Sequence, residues 1–273
     1  MNDSFGRPIT YLRVSVTDRC NLRCDYCVPA APVCRRARGF IALPHEQILP
    51  YEEIAACVRV ACDLGITKVR ITGGEPLVRR NIERLVAMLA AVPALRDLAM
   101  STNGILLAPH AQALAAAGLK RVNVSLDTLD AAAYRRITGG GDLSRALDGI
   151  AAARAAGLNP VKLNCVIAAS TDEPDAQSVA RYARENGLEV RFIRRMNLRA
   201  GQFAVVEGGS GGDCAHCNRL RLSCAGIVRP CLFSDFGFSV RELGARIAFE
   251  RAIQAKPRCG AACNLPSVGA IGG

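Results

Sequence analysis

Cys20, Cys24 and Cys27 stand at C-x3-C-x2-C spacing directly after an apolar, strand-like run. Three thiolates suit an iron–sulfur cluster, and in a [4Fe–4S] cluster they leave one iron free to bind something else. A structural zinc site takes four ligands, usually from C-x2-C pairs, and fits this spacing poorly. Three unrelated buried thiols are the plain alternative, and the neighbouring residues argue against it. One strand further on, Gly73-Gly74-Glu75-Pro76 ends the run 67–72 in a turn. Glycines there let the backbone approach a ligand closely. A second set follows late in the chain: Cys214, Cys217 and Cys231, at C-x2-C-x13-C. There zinc competes, because Cys224 or His216 could supply a fourth ligand.

The elements that must position these cysteines alternate regularly. Strand-like runs at 9–16, 67–72, 96–102, 121–126, 161–167 and 188–196 are separated by helical patterns at 51–64, 80–92, 107–117, 130–137, 142–156 and 174–186. Six βα-type units predict an α/β fold with a parallel sheet, a partial (βα)6 TIM-like barrel. Sites of such folds gather at the C-terminal ends of the strands, where the first cysteine loop falls. Residues 1–198 are expected to form the barrel, 199–213 a Gly-rich linker, and 214–273 a small extension that holds the second cysteine set. That extension is expected to contain one helix over 239–254.

Half of the 273 residues are hydrophobic, so a sizeable core is expected. No run is long and apolar enough to span a bilayer, and the N-terminal residues lack a signal-peptide layout. Thirteen cysteines without that layout point to a reducing compartment, the cytoplasm, and to metal ligation. The net charge is +11, carried by arginine beside only four lysines. A basic chain can meet nucleic acid, an anionic membrane or a phosphorylated small molecule. With no Trp and few other aromatics, a base-stacking platform is not expected, and neither nucleic acid nor membrane is taken as a partner. Arg13 and Arg70 lie within strands beside the site, where an unpaired charge is expensive. A triphosphate is a ready partner for such arginines. Lys162, in another apolar strand, is equally unexplained by arginine-rich composition.

These motifs together resemble the radical S-adenosylmethionine superfamily. Within it, C-x2-C-N-R-x-R-L followed by C-L-F, with a terminal Gly-Gly, is similar to the GTP 3′,8-cyclase family of molybdenum cofactor biosynthesis. The resemblance spans 9–196 and 214–233 and the last two residues. It implies two [4Fe–4S] clusters, one on Cys20, Cys24 and Cys27 and one on Cys214, Cys217 and Cys231. It implies S-adenosylmethionine at Tyr26, Gly74, Ser125 and Met196. It implies GTP as substrate at Arg13, Arg70, Ser101, Lys162, Arg219, Leu220 and Arg221. Cyclisation would need Gly272 and Gly273, and a reductant or electron-donor protein would drive turnover. A homodimer is compatible with this reading. Two other readings stay open: another radical S-adenosylmethionine enzyme with an auxiliary cluster, and a degraded paralogue that only binds metal.

Between Met196 and Cys214 the resemblance fails. The family has several dozen more residues there, and Arg194 stands where an acid is usual. A short natural variant, a degraded paralogue and a deliberately shortened chain all fit this gap. Cys34, Cys57, Cys62, Cys165, Cys224, Cys259 and Cys263 belong to no motif, and most are expected to be small buried apolar residues.

Overall fold

The computed structural model describes residues 1–27, 42–196, 201 and 203–260. Strand β1 is Tyr11–Ser15, and helix α1 is Tyr51–Asp63. Then come β2 Lys68–Thr72, α2 Ile82–Ala90, β3 Asp97–Thr102, α3 Leu107–Ala116 and β4 Arg121–Ser125. Helices α4 Ala131–Thr138 and α5 Leu143–Ala155 precede β5 Lys162–Ile167, α6 Pro174–Glu185 and β6 Glu189–Arg194. The chain continues with β7 Arg219–Leu222, β8 Ile227–Arg229, β9 Phe238–Ser239, α7 Val240–Leu243 and α8 Ala245–Gln254.

Local chemistry sets these boundaries. Asp130 and Asp142 cap α4 and α5 by accepting from the Ala133 and Ser144 amides. Gly139, left-handed at φ 69°, ends α4. The single helix expected over 239–254 is two, α7 and α8. Gly244 sits between them at φ 76°, which a right-handed helix cannot contain.

The sheet runs β6-β5-β4-β3-β2-β1-β7-β8-β9. Strands β1 to β6 pair in parallel, so the six expected βα units are present. The chain after Cys214 joins the same sheet: β7 lies parallel to β1, with β8 and β9 antiparallel beyond it. Helix α8 packs on α1.

Alternation along each strand divides the two faces. Leu12 and Val14 of β1, Val69 and Ile71 of β2, and Leu220 and Leu222 of β7 are fully buried with the helices in one core. Tyr11, Arg13, Lys68, Arg70, Arg219 and Arg221 share the opposite, inward face. Strands of parallel sheets are usually apolar on both faces. A concave face carrying cations is instead suited to a ligand.

Residues 203–213 of the glycine-rich stretch lie against the barrel. Phe192 and Glu207 exchange backbone hydrogen bonds at 3.1 and 3.2 Å, so the stretch covers part of the β6 edge. Gly212 has φ +80°, and a Cβ there would lie 2.0 Å from the Ala204 carbonyl oxygen.

Candidate active site

The cysteine loop 17–27 is held by three neighbours. The Gly74 amide donates to the Thr17 carbonyl at 2.7 Å and the Glu75 amide to the Arg19 carbonyl at 2.8 Å. The Arg23 and Asp25 amides donate to the Thr138 and Ile137 carbonyls at the end of α4. Asn103, after β3, donates from Nδ2 to Asn21 Oδ1 at 2.8 Å. The approach is close: a Cβ on Gly74 would lie 2.2 Å from the Arg19 oxygen. The Gly-Gly turn is therefore required by the cysteine loop itself, as well as by any ligand above it.

Glu75 secures that turn from below. Its Oε1 accepts from the Leu77 amide at 3.1 Å and Thr102 Oγ1 at 2.8 Å, and its Oε2 accepts from the Asn103 amide at 2.7 Å. Burial pushes its carboxyl up to about 7, against those three donors. Tyr26 Oη donates to Asp127 Oδ2 at 2.8 Å, while Asp127 Oδ1 accepts from the Val166 amide. Burial holds Asp127 up at about 6.

A cavity of about 790 Å³ opens on the inward face. Cys20, Cys24, Cys27, Tyr26, Gly74, Ser125 and Met196 line it, together with Arg13, Arg70, Ser101, Arg219 and Arg221. The strand register gathers the cations. Arg13 is level with both Arg70 and Arg221, and Tyr11 is level with Lys68 and Arg219. The Tyr11 ring lies 5.2, 5.7 and 5.5 Å from the Lys68, Arg70 and Arg219 cations.

These cations are crowded. Burial first, then neighbouring arginines, bring Arg13, Arg70 and Arg221 down to about 10. Two unit charges about 6 Å apart at an effective dielectric of about 20 repel by roughly 3 kcal/mol. Asp97 pairs with both Lys68 and Arg121, at 3.0 and 2.7 Å, and so offsets one of their two charges. Arg70 Nε and Ser101 Oγ are buried in the cavity wall without a hydrogen-bond partner.

Two expected substrate positions lie outside this lining. Lys162 is on the inward face of β5 and pairs with Glu189 of β6. Leu220 is buried in the core, between Arg219 and Arg221. Cys214 lines a second cavity of about 480 Å³ with Arg194, Arg195, Phe203 and Phe233. Gly272, Gly273, Cys34 and Cys263 lie outside the described residues. Cys57, Cys62, Cys165 and Cys224 are buried, whereas Cys259 is exposed.

Neither cysteine set is gathered around a single-ion site. Among the described residues, no three His, Cys, Asp or Glu side chains converge to hold one metal ion. Thiolates bound to separate irons of a cluster stand further apart than ligands of a single ion. The suggested fourth zinc ligands are engaged elsewhere. His216 is exposed and pairs with Asp213 at 2.7 Å, and Cys224 is buried near Ser15 and Asp18. Burial pushes the Cys20 and Cys24 thiols up to about 11 and 12, so thiolates there need a cationic partner between them.

Asn103, Asp127, Gly139 and Lys256 were not singled out from the sequence. Asn103 and Asp127 follow strand ends and so carried a positional signal; Gly139 carried only that of a helix stop.

A parallel partial barrel with a three-cysteine loop at its mouth defines a radical S-adenosylmethionine protein, and the Radical SAM superfamily model matches residues 14–183. Among solved structures, anSMEcpe with bound AdoMet aligns at TM-score 0.62 and 14% identity over 91% of this chain and 81% of that one. Streptococcus suis SuiB bound to S-adenosylmethionine aligns at TM-score 0.57 and 19% identity over 70% and 41%. These likenesses concern the fold.

Curated relatives narrow the class. The chain is 41% identical to GTP 3′,8-cyclase of Moorella thermoacetica, with 94% of each chain covered. It is 40% identical to that of Geobacter sulfurreducens over 88% of this chain and 85% of the relative, and 40% identical to that of Mycobacterium marinum over 93% and 82%. The chain belongs to the GTP 3′,8-cyclase family of radical S-adenosylmethionine enzymes. Family membership brings a [4Fe–4S] cluster and S-adenosylmethionine with it.

Proposed function

We propose that this chain converts GTP to (8S)-3′,8-cyclo-7,8-dihydroguanosine 5′-triphosphate, the first step of molybdenum cofactor biosynthesis. The observation that carries the reading is one cavity with two unlike sets of lining residues. Three cysteines line it beside a Gly-Gly turn, and so do arginines of β1, β2 and β7 that the strand register brings level.

Cys20, Cys24 and Cys27 would hold the first cluster, with S-adenosylmethionine against Tyr26, Gly74, Ser125 and Met196. When bound, this pair supplies hydrogen-atom abstraction from the substrate ribose. Arg13, Arg70, Arg219 and Arg221 would grip the triphosphate as bidentate donors, and Ser101 would donate its unpartnered hydroxyl. Lys162 and Leu220 complete the substrate set that the family resemblance suggests. Fixing the phosphates along β1, β2 and β7 would leave the ribose to face the cysteines, and that positioning would be the protein's main contribution. Cys214, Cys217 and Cys231 would hold a second cluster facing the base. Gly272 and Gly273 would serve the cyclisation step, as the family resemblance implies.

The test is anaerobic, reconstituted protein supplied with S-adenosylmethionine, a reductant and GTP. Formation of 5′-deoxyadenosine and of the cyclised nucleotide, both dependent on GTP, is expected. Cleavage of S-adenosylmethionine with GTP left unchanged would overturn the assignment. The shortened stretch before Cys214 makes this test informative, because it is where the chain departs from its family.

A further inference from the structure

Lys256 is 3% exposed, just beyond the end of α8. Its Nζ donates to the Arg219 carbonyl at 2.8 Å and to the Pro230 carbonyl at 2.9 Å. Those carbonyls belong to the residue two after Cys217 and the residue just before Cys231. One ammonium thus ties together the two separate segments of the second cysteine set. Arg7 holds the same stretch from the other side. It donates to the carbonyls of Cys214, Pro257 and Arg258 at 2.6, 2.7 and 3.1 Å, and its own charge is met by Asp3 at 2.6 Å.

Lys256 differs from Arg7 in one respect: among the described residues it pairs with no carboxylate. Two neutral carbonyls do not balance a buried ammonium, which is costly unless an anion lies near. The nearby candidate is Cys217. Its thiol faces the Lys256 charge, and Arg219 lies two residues on. Three thiolates around a [4Fe–4S] cluster carry net negative charge, and a cation beside them stabilises the more negative, reduced form.

We propose that Lys256 is the positioning residue and counter-charge of the second cysteine set, joining its two segments and raising the potential of the cluster bound there. This rests on the two-cluster reading above, and it adds a residue outside the cysteine and substrate positions.

The test uses full-length chains in which Cys20, Cys24 and Cys27 are replaced by Ser, so that only the second set can bind iron. Iron content, the rate of iron loss to a chelator and the midpoint potential are measured for Lys256 and for Lys256→Met, Lys256→Gln and Lys256→Arg. Loss of the charge in Lys256→Met and Lys256→Gln is expected to speed iron loss about tenfold. The potential should become more negative by an amount equivalent to about tenfold in reduced-state preference, 59 mV for one electron. Lys256→Arg is expected to keep the parent potential. A purely structural lysine would lower iron content but leave the potential of the remaining cluster unchanged, and that result overturns the proposal. If Lys256→Met does not fold, the comparison of Lys256→Gln with Lys256→Arg decides. Absence of iron from the parent overturns the second cluster itself, and the Lys256 role with it; iron in the parent with unaltered potentials in the variants overturns Lys256 alone.

Discussion

Tyr26 and Asp127, 101 residues apart in the chain, share a hydrogen bond of 2.8 Å that ties the cysteine loop to the end of β4. The bond fixes the ring of Tyr26 at the cavity wall where S-adenosylmethionine is proposed to sit. In Tyr26→Phe the ring stays but its anchor is lost, along with about 1 kcal/mol. We expect S-adenosylmethionine affinity to fall about fivefold with iron content unchanged. Titration calorimetry on the reconstituted protein measures this, and unchanged affinity would show that the ring is held by packing alone.

Gly74 tests the packing between the two motifs. A methyl group at this position would lie 2.2 Å from the Arg19 carbonyl oxygen, so backbone must move. Gly74→Ala should displace the loop that carries Cys20 and remove most iron from the first set. Iron analysis should fall by about four irons per chain. Full iron loading with normal S-adenosylmethionine affinity would refute the role given to this contact.

Arg70 should have opposite effects on stability and binding. Its Nε lacks a partner, and its charge is crowded by Arg13, Arg121 and Arg191. Arg70→Met keeps the volume and removes the charge. The melting temperature of the GTP-free protein is expected to rise, by roughly 1–2 kcal/mol in stability. The rise in melting temperature on adding GTP should shrink, reflecting at least tenfold weaker binding. A lower melting temperature together with unchanged GTP affinity would place the triphosphate elsewhere.

Glu75 gives a pH dependence with a defined sign. Its folded pKa is raised by burial to about 7 from the usual 4.5. The neutral form is therefore favoured in the folded protein. The stability this group contributes is fully present below about pH 4.5 and is lost as pH rises through about 7. The full linkage is of order 3 kcal/mol. Urea midpoints at pH 5 and pH 7.5 should differ less in Glu75→Gln than in the parent, whatever the absolute stability of the variant. An identical pH slope in both would assign the dependence to other groups.

Much of the fold was legible because its signals are local. The strands alternate with period two, the helices begin at Pro50, Asp130 and Asp142, and Gly65 and Gly139 follow helix ends. The 239–254 region was misread because a glycine within a helical pattern is compatible with either one helix or a break. Only the φ of 76° at Gly244 distinguishes them. The stretch 199–213 reads as a linker by composition, yet its pairing with Phe192 depends on an exposed β6 edge. That edge exists only once the sheet is assembled.

The sequence by itself determined the two cysteine spacings, the Gly-Gly turn, the βα alternation and the presence of strand arginines. Each depends on residues close together in the chain. Tertiary structure decided which of these meet. It placed Arg13 level with Arg70 and Arg221, made the Arg19 carbonyl the reason for Gly74, and paired Lys162 with Glu189. It also brought Lys256 between Arg219 and Pro230. A buried charge is tolerated or costly according to partners far away in sequence, and spacing along the chain does not encode them.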